Sequence, residues 1–207
     1  GVGNYTEQDI REGARAFTGW NHRDLNFVLN ADQHDSSQKT FLDKTGNWDG
    51  LDIIDMILEK PVTAEYISGK IYKFFVRENI DPALQEELAS FFYNSEYEIT
   101  PLLEKIFLSQ DFYSSASMGT HIKSPTDLVV STYKKLGLNV LPGVPDFHDT
   151  TQSLGQTLLF PPTVAGWAGG KSWLSPGLLL ARGNFVYDTV YPDINFIPSD
   201  RYPENYQ

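Results

Sequence analysis

The chain has 207 residues and a formal net charge of −11, from 16 Lys and Arg residues against 27 Asp and Glu residues. Hydrophobic residues make up 41% and aromatic residues 14% of the sequence, which predicts a globular protein with an ample core. The negative charge argues against binding to the phosphate backbone of nucleic acids. Because the sequence has no cysteine, disulfides, thiolate metal sites and thiol nucleophiles are excluded.

The first 60 residues predict two helices on either side of a hairpin. Thr6-Glu7-Gln8-Asp9 resembles a capping box, and the helix that follows it should end near Gly19. Two short apolar runs flank a polar turn and predict one small β-hairpin over about residues 25–42. Asn47 or Asp49 can then cap the second helix. The apolar positions that mark the first helix are Ile10, Ala14 and Phe17.

Four residue pairs ending in proline predict helix starts further along the chain. Proline suits the first helical position, and the Asp, Ser or Thr before it can cap the free N–H groups. Another helix is expected over residues 149–158, and the last helix should run from Pro176 to about Val190. The four pairs are Asp81-Pro82, Thr100-Pro101, Ser124-Pro125 and Ser175-Pro176.

These elements predict a mainly α fold. We expect an irregular multi-helix bundle with one small β-hairpin and long loops rich in Trp, Gly and Pro. No linker or internal repeat divides the sequence, so a single helical domain is expected over residues 1–190. An extended, proline-rich tail should follow over residues 191–207.

The most unusual stretch of the sequence is residues 155–185, which contains two of the four tryptophans. It contains Pro161-Pro162 and Gly169-Gly170, which a helix does not accommodate, among residues that are normally buried. We interpret it as a structural plug between helices or as the floor of a pocket.

Each tryptophan follows a glycine within three residues, and all four fall in predicted loops. They either anchor loops onto the bundle or form stacking platforms for a sugar or another apolar-faced ligand. The four are Trp20, Trp48, Trp167 and Trp173.

Two His-Asp pairs, His34-Asp35 and His148-Asp149, invite a metal interpretation. His34-Asp35 lies in a predicted turn, and Asp149 is expected to act as an ordinary helix cap, so we predict no metal site. Asp43 begins an alternation typical of a calcium loop, but Trp48 and Ile54 stand where an EF-hand needs Gly and Glu. A metal-assisted site stays open as the alternative. The sequence also contains neither a phosphate-binding loop nor a nucleophile elbow.

Five segments carry a resemblance to a known family: residues 5–20, 34–50, 70–76, 123–130 and 155–185. Together they resemble the bacterial domain-of-unknown-function 1800 family. The resemblance implies a mainly helical, often exported protein that lacks an established activity. It also implies that the chain is the C-terminal part of a longer protein, with further helices upstream. In that case apolar side chains such as Phe17 or Phe75 should be partly uncovered. The resemblance supplies no catalytic residues.

The leading functional prediction is an exported, extracytoplasmic interaction or ligand-binding module without catalytic activity or cofactor. Its expected partner is its own upstream region or another protein, with carbohydrate as a second option. No apolar run approaches the roughly 18 residues of a membrane-spanning helix, so no span is expected. The alternative is a hydrolase of envelope or polysaccharide substrates with His34, Asp35 and Asp49 near its active centre. Candidate ligand-binding residues are Trp20, His22, His34, Asp35, Lys39, Trp48, Asp49, Trp167 and Trp173.

Overall fold

A computed structural model describes residues 3–138 and 146–191 of the chain. It is 53% helical, which confirms the mainly α class. By its internal contacts the chain divides into two compact units, residues 1–117 and 118–207. The expectation of a single domain over residues 1–190 stays a prediction. The predicted extended tail lies outside the described residues from position 192 onward.

The described part of the first unit contains five helices and two hairpins. Its helices are α1 (Glu7–Ala16), α2 (Gly50–Leu58), α3 (Pro61–Phe75), α4 (Pro82–Asn94) and α5 (Ile99–Phe107). Its strands are β1 (Trp20–Arg23), β2 (Asn26–Leu29), β3 (Lys39–Phe41) and β4 (Lys44–Gly46). The second unit contains α6 (Pro125–Lys135), α7 (Phe147–Ser153) and α8 (Pro176–Val190). Short 3-10 turns cover Ala31–Gln33 and Gly170–Leu174.

Most of the predicted helix starts are confirmed by side-chain caps. The Thr6 hydroxyl accepts from the Asp9 N–H and the Asp9 carboxylate accepts from the Thr6 N–H, which closes a capping box. Helix α5 differs, since it begins at Ile99 and Thr100 therefore lies inside its first turn. Proline is tolerated there because first-turn N–H groups have no intrahelical partner. The confirmed caps are Thr6, Asp49, Asp81, Ser124 and Ser175.

The predicted limits of helix α7 are also wrong. The prediction placed this helix over residues 149–158 with Asp149 as its cap, but it spans Phe147–Ser153 and Asp146 caps it. It ends early because Gly155 adopts a φ of +96°. The Gly155 N–H donates to the Gln152 carbonyl at 2.9 Å, and the next N–H donates back to Thr151 at 2.8 Å. These two bonds form a Schellman motif, which terminates a helix.

The predicted hairpin over residues 25–42 is wrong in its pairing. The two apolar segments do not pair with each other, because each belongs to a tight hairpin of its own. Trp20 pairs with Leu29 in the first hairpin, and Lys39 pairs with Gly46 in the second. Two-residue turns close both hairpins, and all four turn residues have positive φ. None of them is Gly or Asn, so the usual hairpin signal is missing from the sequence. The turn residues are Asp24, Leu25, Leu42 and Asp43.

Three apolar clusters form the described core, two in the first unit and one in the second. The first joins α3, α4 and α5 around Tyr72 and Phe92, which are 1% and 2% exposed. The second joins α1, α2 and β3. The third joins α6, α7 and α8 around Val129 and Phe185. Residues of the second cluster are Ala16, Phe41, Ile53 and Met56.

Trp20 packs with two other aromatic rings against Gly50, the first residue of α2. Its ring meets those of Phe17 and Phe27 edge-on, with centroids 4.9 and 5.1 Å away. A Cβ placed on Gly50 would lie 2.4 Å from the Trp20 ring and 2.7 Å from that of Phe17. Only a residue without a side chain fits there. Trp20 itself lies in β1 and Trp173 in a 3-10 turn, so the prediction that all tryptophans occupy loops holds for two of the four.

We expect Gly50→Ala to lower the free energy of unfolding by about 1–3 kcal/mol, because the added methyl group must displace two aromatic rings. Gly183→Ala in α8 is the matched control, since nothing lies within 4 Å of its added Cβ. The control should be neutral or gain up to about 1 kcal/mol of helix propensity. Urea denaturation followed by circular dichroism measures both variants. A Gly50→Ala variant as stable as the control would contradict the packing described for Trp20.

Candidate functional site

Helices α1, α2 and α3, together with β3, enclose an apolar groove of about 560 Å³, termed here the α1–α3 groove. Ligand pockets usually have volumes of about 300–1,000 Å³ and are lined mainly by apolar side chains. The groove is open to solvent, because Ile10 and Tyr66 on its walls are 58% and 49% exposed. Its floor is formed by Phe41 and Ile53, which are only 6% and 2% exposed and belong to the core. The α1–α3 groove therefore combines a fixed floor with exposed apolar walls.

Both long walls of the groove are helices. Helix α1 contributes Ile10 and Ala14, and its C-cap residue Phe17 follows, so that the three stand at positions i, i+4 and i+7 on one face. Helix α3 contributes Val62 and Tyr66, again four residues apart. A surface helix normally turns such a stripe toward the core of its own domain. Here the stripes face each other across open space.

The groove has two charged residues, Asp9 and Lys60, in different situations. One carboxylate oxygen of Asp9 accepts from the Thr6 N–H and the other from the Leu42 N–H, both at 2.7 Å. Hydrogen bonds from Thr6 are the main reason that the pKa of Asp9 is lowered. Lys60 is exposed and, within the described residues, its ammonium makes no ion pair or hydrogen bond. The charged group of the groove that has no partner among the described residues is therefore the positive ammonium of Lys60.

The predicted site residue Asp35 forms part of an ion-pair cluster beside α1. Arg15 donates from Nε to Asp35 at 2.8 Å and from a terminal nitrogen to Glu12 at 2.6 Å. Asp35 also accepts from the Ser37 N–H at 3.0 Å. Donation by Arg15, then by Ser37, holds the pKa of Asp35 well below its usual range. Asp35 is thus an ionised anchor that fastens its loop to α1.

His34 lies in the loop before β3, and Lys39 is the first residue of that strand. The Nδ1 atom of His34 lies 2.8 Å from the Thr18 carbonyl, which can only accept, so Nδ1 carries the proton. In the neutral ring Nε2 is then left as the acceptor. Lys39 is 1% exposed, and its ammonium donates to the carbonyls of Asp35 at 2.5 Å and Ser37 at 3.0 Å. The loop is folded around a buried lysine.

The remaining predicted site residues lie in several places. Asp49 caps α2, and the Trp48 indole donates to the Lys44 carbonyl at 3.2 Å. His22 is exposed on β1. Trp167 and Trp173 lie in the second unit, half-buried and 7% exposed respectively. Among residues 3–138 and 146–191, no group of three or more His, Asp or Glu side chains is placed to hold a metal ion. A ligand-binding role for these residues stays a prediction.

Sequence reasoning missed a second polar cluster, around Asp111. The Tyr72 hydroxyl donates to Asp111, and Arg77 donates to the same carboxylate at 2.5 Å. Burial is the main reason that the pKa of Tyr72 rises to about 12, and Asp111 adds to it. Tyr72 is therefore a protonated hydrogen-bond donor at neutral pH. The cluster ties α3 to the segment that follows α5.

The Trp-rich stretch, interpreted as a plug, is buried only in part. The Trp173 ring approaches the position of a Cβ on Gly155 to 3.6 Å and is almost fully buried. Leu159 and Phe160, in contrast, are 84% and 79% exposed. Within the stretch, Trp173 and Phe185 have the burial expected of a plug, and the segment around Leu159 does not.

Comparison with known proteins identifies the family. The model of a family described as "Protein of unknown function (DUF1800)" matches residues 1–203, so the chain belongs to that family. No curated protein and no solved structure matches. Within the described ranges, the helices are too short or too polar to cross a membrane.

We expect Trp173→Ala to lower the free energy of unfolding by about 3–5 kcal/mol, as for other buried aromatic side chains. Trp167→Ala should cost clearly less, because Trp167 is half-buried. Thermal and urea denaturation of the two variants check the difference. Equal losses would mean that the two rings are equally buried in solution.

We expect Asp35→Asn to lower the melting temperature at pH 7, because the amide cannot replace the ion pair with Arg15. A carboxyl group with a depressed folded-state pKa stabilises the fold above its unfolded pKa of about 3.9 and loses that effect as the pH falls toward the folded value. The gap between wild type and variant should therefore shrink as the pH falls from 5 to 3.

Melting curves at successive pH values test this expectation. Asp32→Asn, at an exposed aspartate of the neighbouring 3-10 turn, is the control. A gap between wild type and Asp35→Asn that does not change with pH would contradict the ionised state assigned to Asp35.

Proposed function

We propose that this member of the DUF1800 family is a non-catalytic interaction module that holds an apolar partner in the α1–α3 groove. The observation that carries the proposal is the pairing of a buried apolar floor, Phe41 and Ile53, with walls as exposed as Ile10 and Tyr66. Soluble proteins rarely leave large apolar patches uncovered unless these have a partner. The groove has the size and lining of a binding site.

For the partner, we propose the chain's own upstream region or another protein, and an extracytoplasmic location. Support for a protein partner comes from the aliphatic walls of the groove and from further exposed aromatic rings, such as Phe74 and Phe75 at 69% and 44%. A carbohydrate platform has weaker support, because stacking on sugars needs an open aromatic face. Both neighbours of Trp20 meet it edge-on, and Trp173 is buried.

The hydrolase alternative is the weaker proposal. It needs carboxylates that are free to move protons or bind a nucleophilic water. Asp35 is committed to Arg15 and Ser37, and Asp49 accepts the N–H groups of Leu51 and Asp52. His34 is held by the Thr18 carbonyl, and a single imidazole does not make a hydrolytic site.

The groove is tested with an uncharged apolar dye, N-phenyl-1-naphthylamine, whose fluorescence rises on transfer from water to an apolar site. We expect saturable binding that Ile10→Asp weakens at least tenfold, because the new charge stands on the groove wall. Leu108→Asp is the matched control, since Leu108 is 73% exposed and lies outside the groove.

Circular dichroism establishes that both variants remain folded. Equal weakening by the two substitutions would show that the dye binds exposed apolar surface in general. The absence of saturable binding would overturn the proposed function.

A further inference from the structure

We infer that the occupant of the α1–α3 groove is an amphipathic helix carrying an acidic side chain that pairs with Lys60. This inference rests on the proposed function and specifies the partner. Three features of the groove support it: the spacing of its walls, the closed edge of β3 and the isolated charge of Lys60.

The walls of the groove fit a helix. Ile10 and Ala14 on α1, with the C-cap residue Phe17, form one ridge at helical spacing. Val62 and Tyr66 form the other ridge on α3. Helices pack by placing the ridges of one into the grooves of another. Recognition of this kind requires apolar anchors at i, i+3 or i+4, and i+7 on the incoming helix. An acyl chain would be held more tightly by a closed tunnel than by an open groove whose wall residues are about half exposed.

An added β-strand is excluded by the edge of β3. One side of β3 pairs with β4, and α1 closes the other side. Glu12 accepts from the Thr40 N–H at 3.3 Å, and Asp9 accepts from the Leu42 N–H at 2.7 Å. A bound strand needs free backbone groups at a sheet edge, and these donors are already used.

Lys60 determines the chemistry at one end of the groove. Asp9 is occupied by backbone donors, so Lys60 is the groove charge left without a partner among the described residues. Lys60 also stands at the N-cap of α3, where no side chain caps the helix. In the first turn of α3, Pro61 has no N–H and the Thr63 N–H donates to the Lys60 carbonyl at 2.9 Å, so the helix end contributes mainly the positive end of its dipole. A carboxylate brought to this point would meet the ammonium and the helix end together.

The probes are 15-residue helical peptides with leucines at i, i+4, i+7 and i+11 and a fluorescent label. In one series a single glutamate is moved along the edges of the leucine face, and in a second series lysine takes the same positions. Binding to the full 207-residue chain is measured by fluorescence anisotropy. We expect one glutamate position to give the tightest complex, and lysine at that position to bind about tenfold more weakly.

A charge swap locates the partner of that glutamate. Lys60→Glu should reverse the preference, so that the lysine peptide binds more tightly than the glutamate peptide. Lys73→Glu makes the same charge change on α3 outside the groove and should leave the preference unchanged. Ile10→Asp should abolish binding of both series.

The remaining outcomes separate this inference from the proposed function. If glutamate and lysine peptides bind equally and Ile10→Asp abolishes binding, the groove holds a helix and the role of Lys60 is overturned. If no peptide binds while the uncharged dye still does, the helix is overturned and the proposed function stands. If Ile10→Asp instead converts an associating chain into a monomer in sedimentation experiments, the occupant is a second copy and the inference is overturned.

Discussion

The hydrogen bonds between the acidic residues of α1 and the backbone around β3 are the constraint on which the first unit depends. Glu12 accepts from the Thr40 N–H while paired with Arg15, and Asp9 accepts from the Leu42 N–H. These bonds place Glu12 against the hairpin on the same face of α1 as the buried Ala16, so that Glu12 is 7% exposed. The apolar stripe that begins at Ile10 lies on a different face of the helix and lines the groove. A surface helix normally buries such a stripe, so its exposure at Ile10 gives the α1–α3 groove an apolar wall.

Features that depend on neighbouring residues could be predicted from the sequence, and features that depend on distant contacts could not. Caps such as Thr6 and Ser124 involve residues within one turn, so local pattern was sufficient to predict them. The hairpins depend on turns that contain Leu25 and Leu42, and leucine is not a residue that signals a positive φ. Their pairing could not be predicted for that reason.

The candidate site was only partly accessible to sequence reasoning. His34 and Asp35 were recognisable as unusual residues, but their roles depend on Thr18 and Arg15, which lie 16 and 20 positions earlier in the chain. The stripe beginning at Ile10 was visible as a helical period, which normally indicates a buried face. Its exposure depends on tertiary contacts, and no local signal reports these. The role of Lys60 likewise depends on a distant contact, because the Asp9 carboxylate accepts from the Leu42 N–H.

The loop that holds Lys39 has a consequence for the conditions under which the first unit can fold. Loops whose carbonyls converge commonly recruit a calcium ion to neutralise the clustered oxygen dipoles. Here a side chain of the chain itself supplies the cation, since the Lys39 ammonium binds the carbonyls of Asp35 and Ser37 while almost fully buried. Because the Lys39 ammonium is part of the chain, it does not dissociate on dilution and a chelator does not remove it. These two carbonyls therefore have a cationic partner without a bound metal ion.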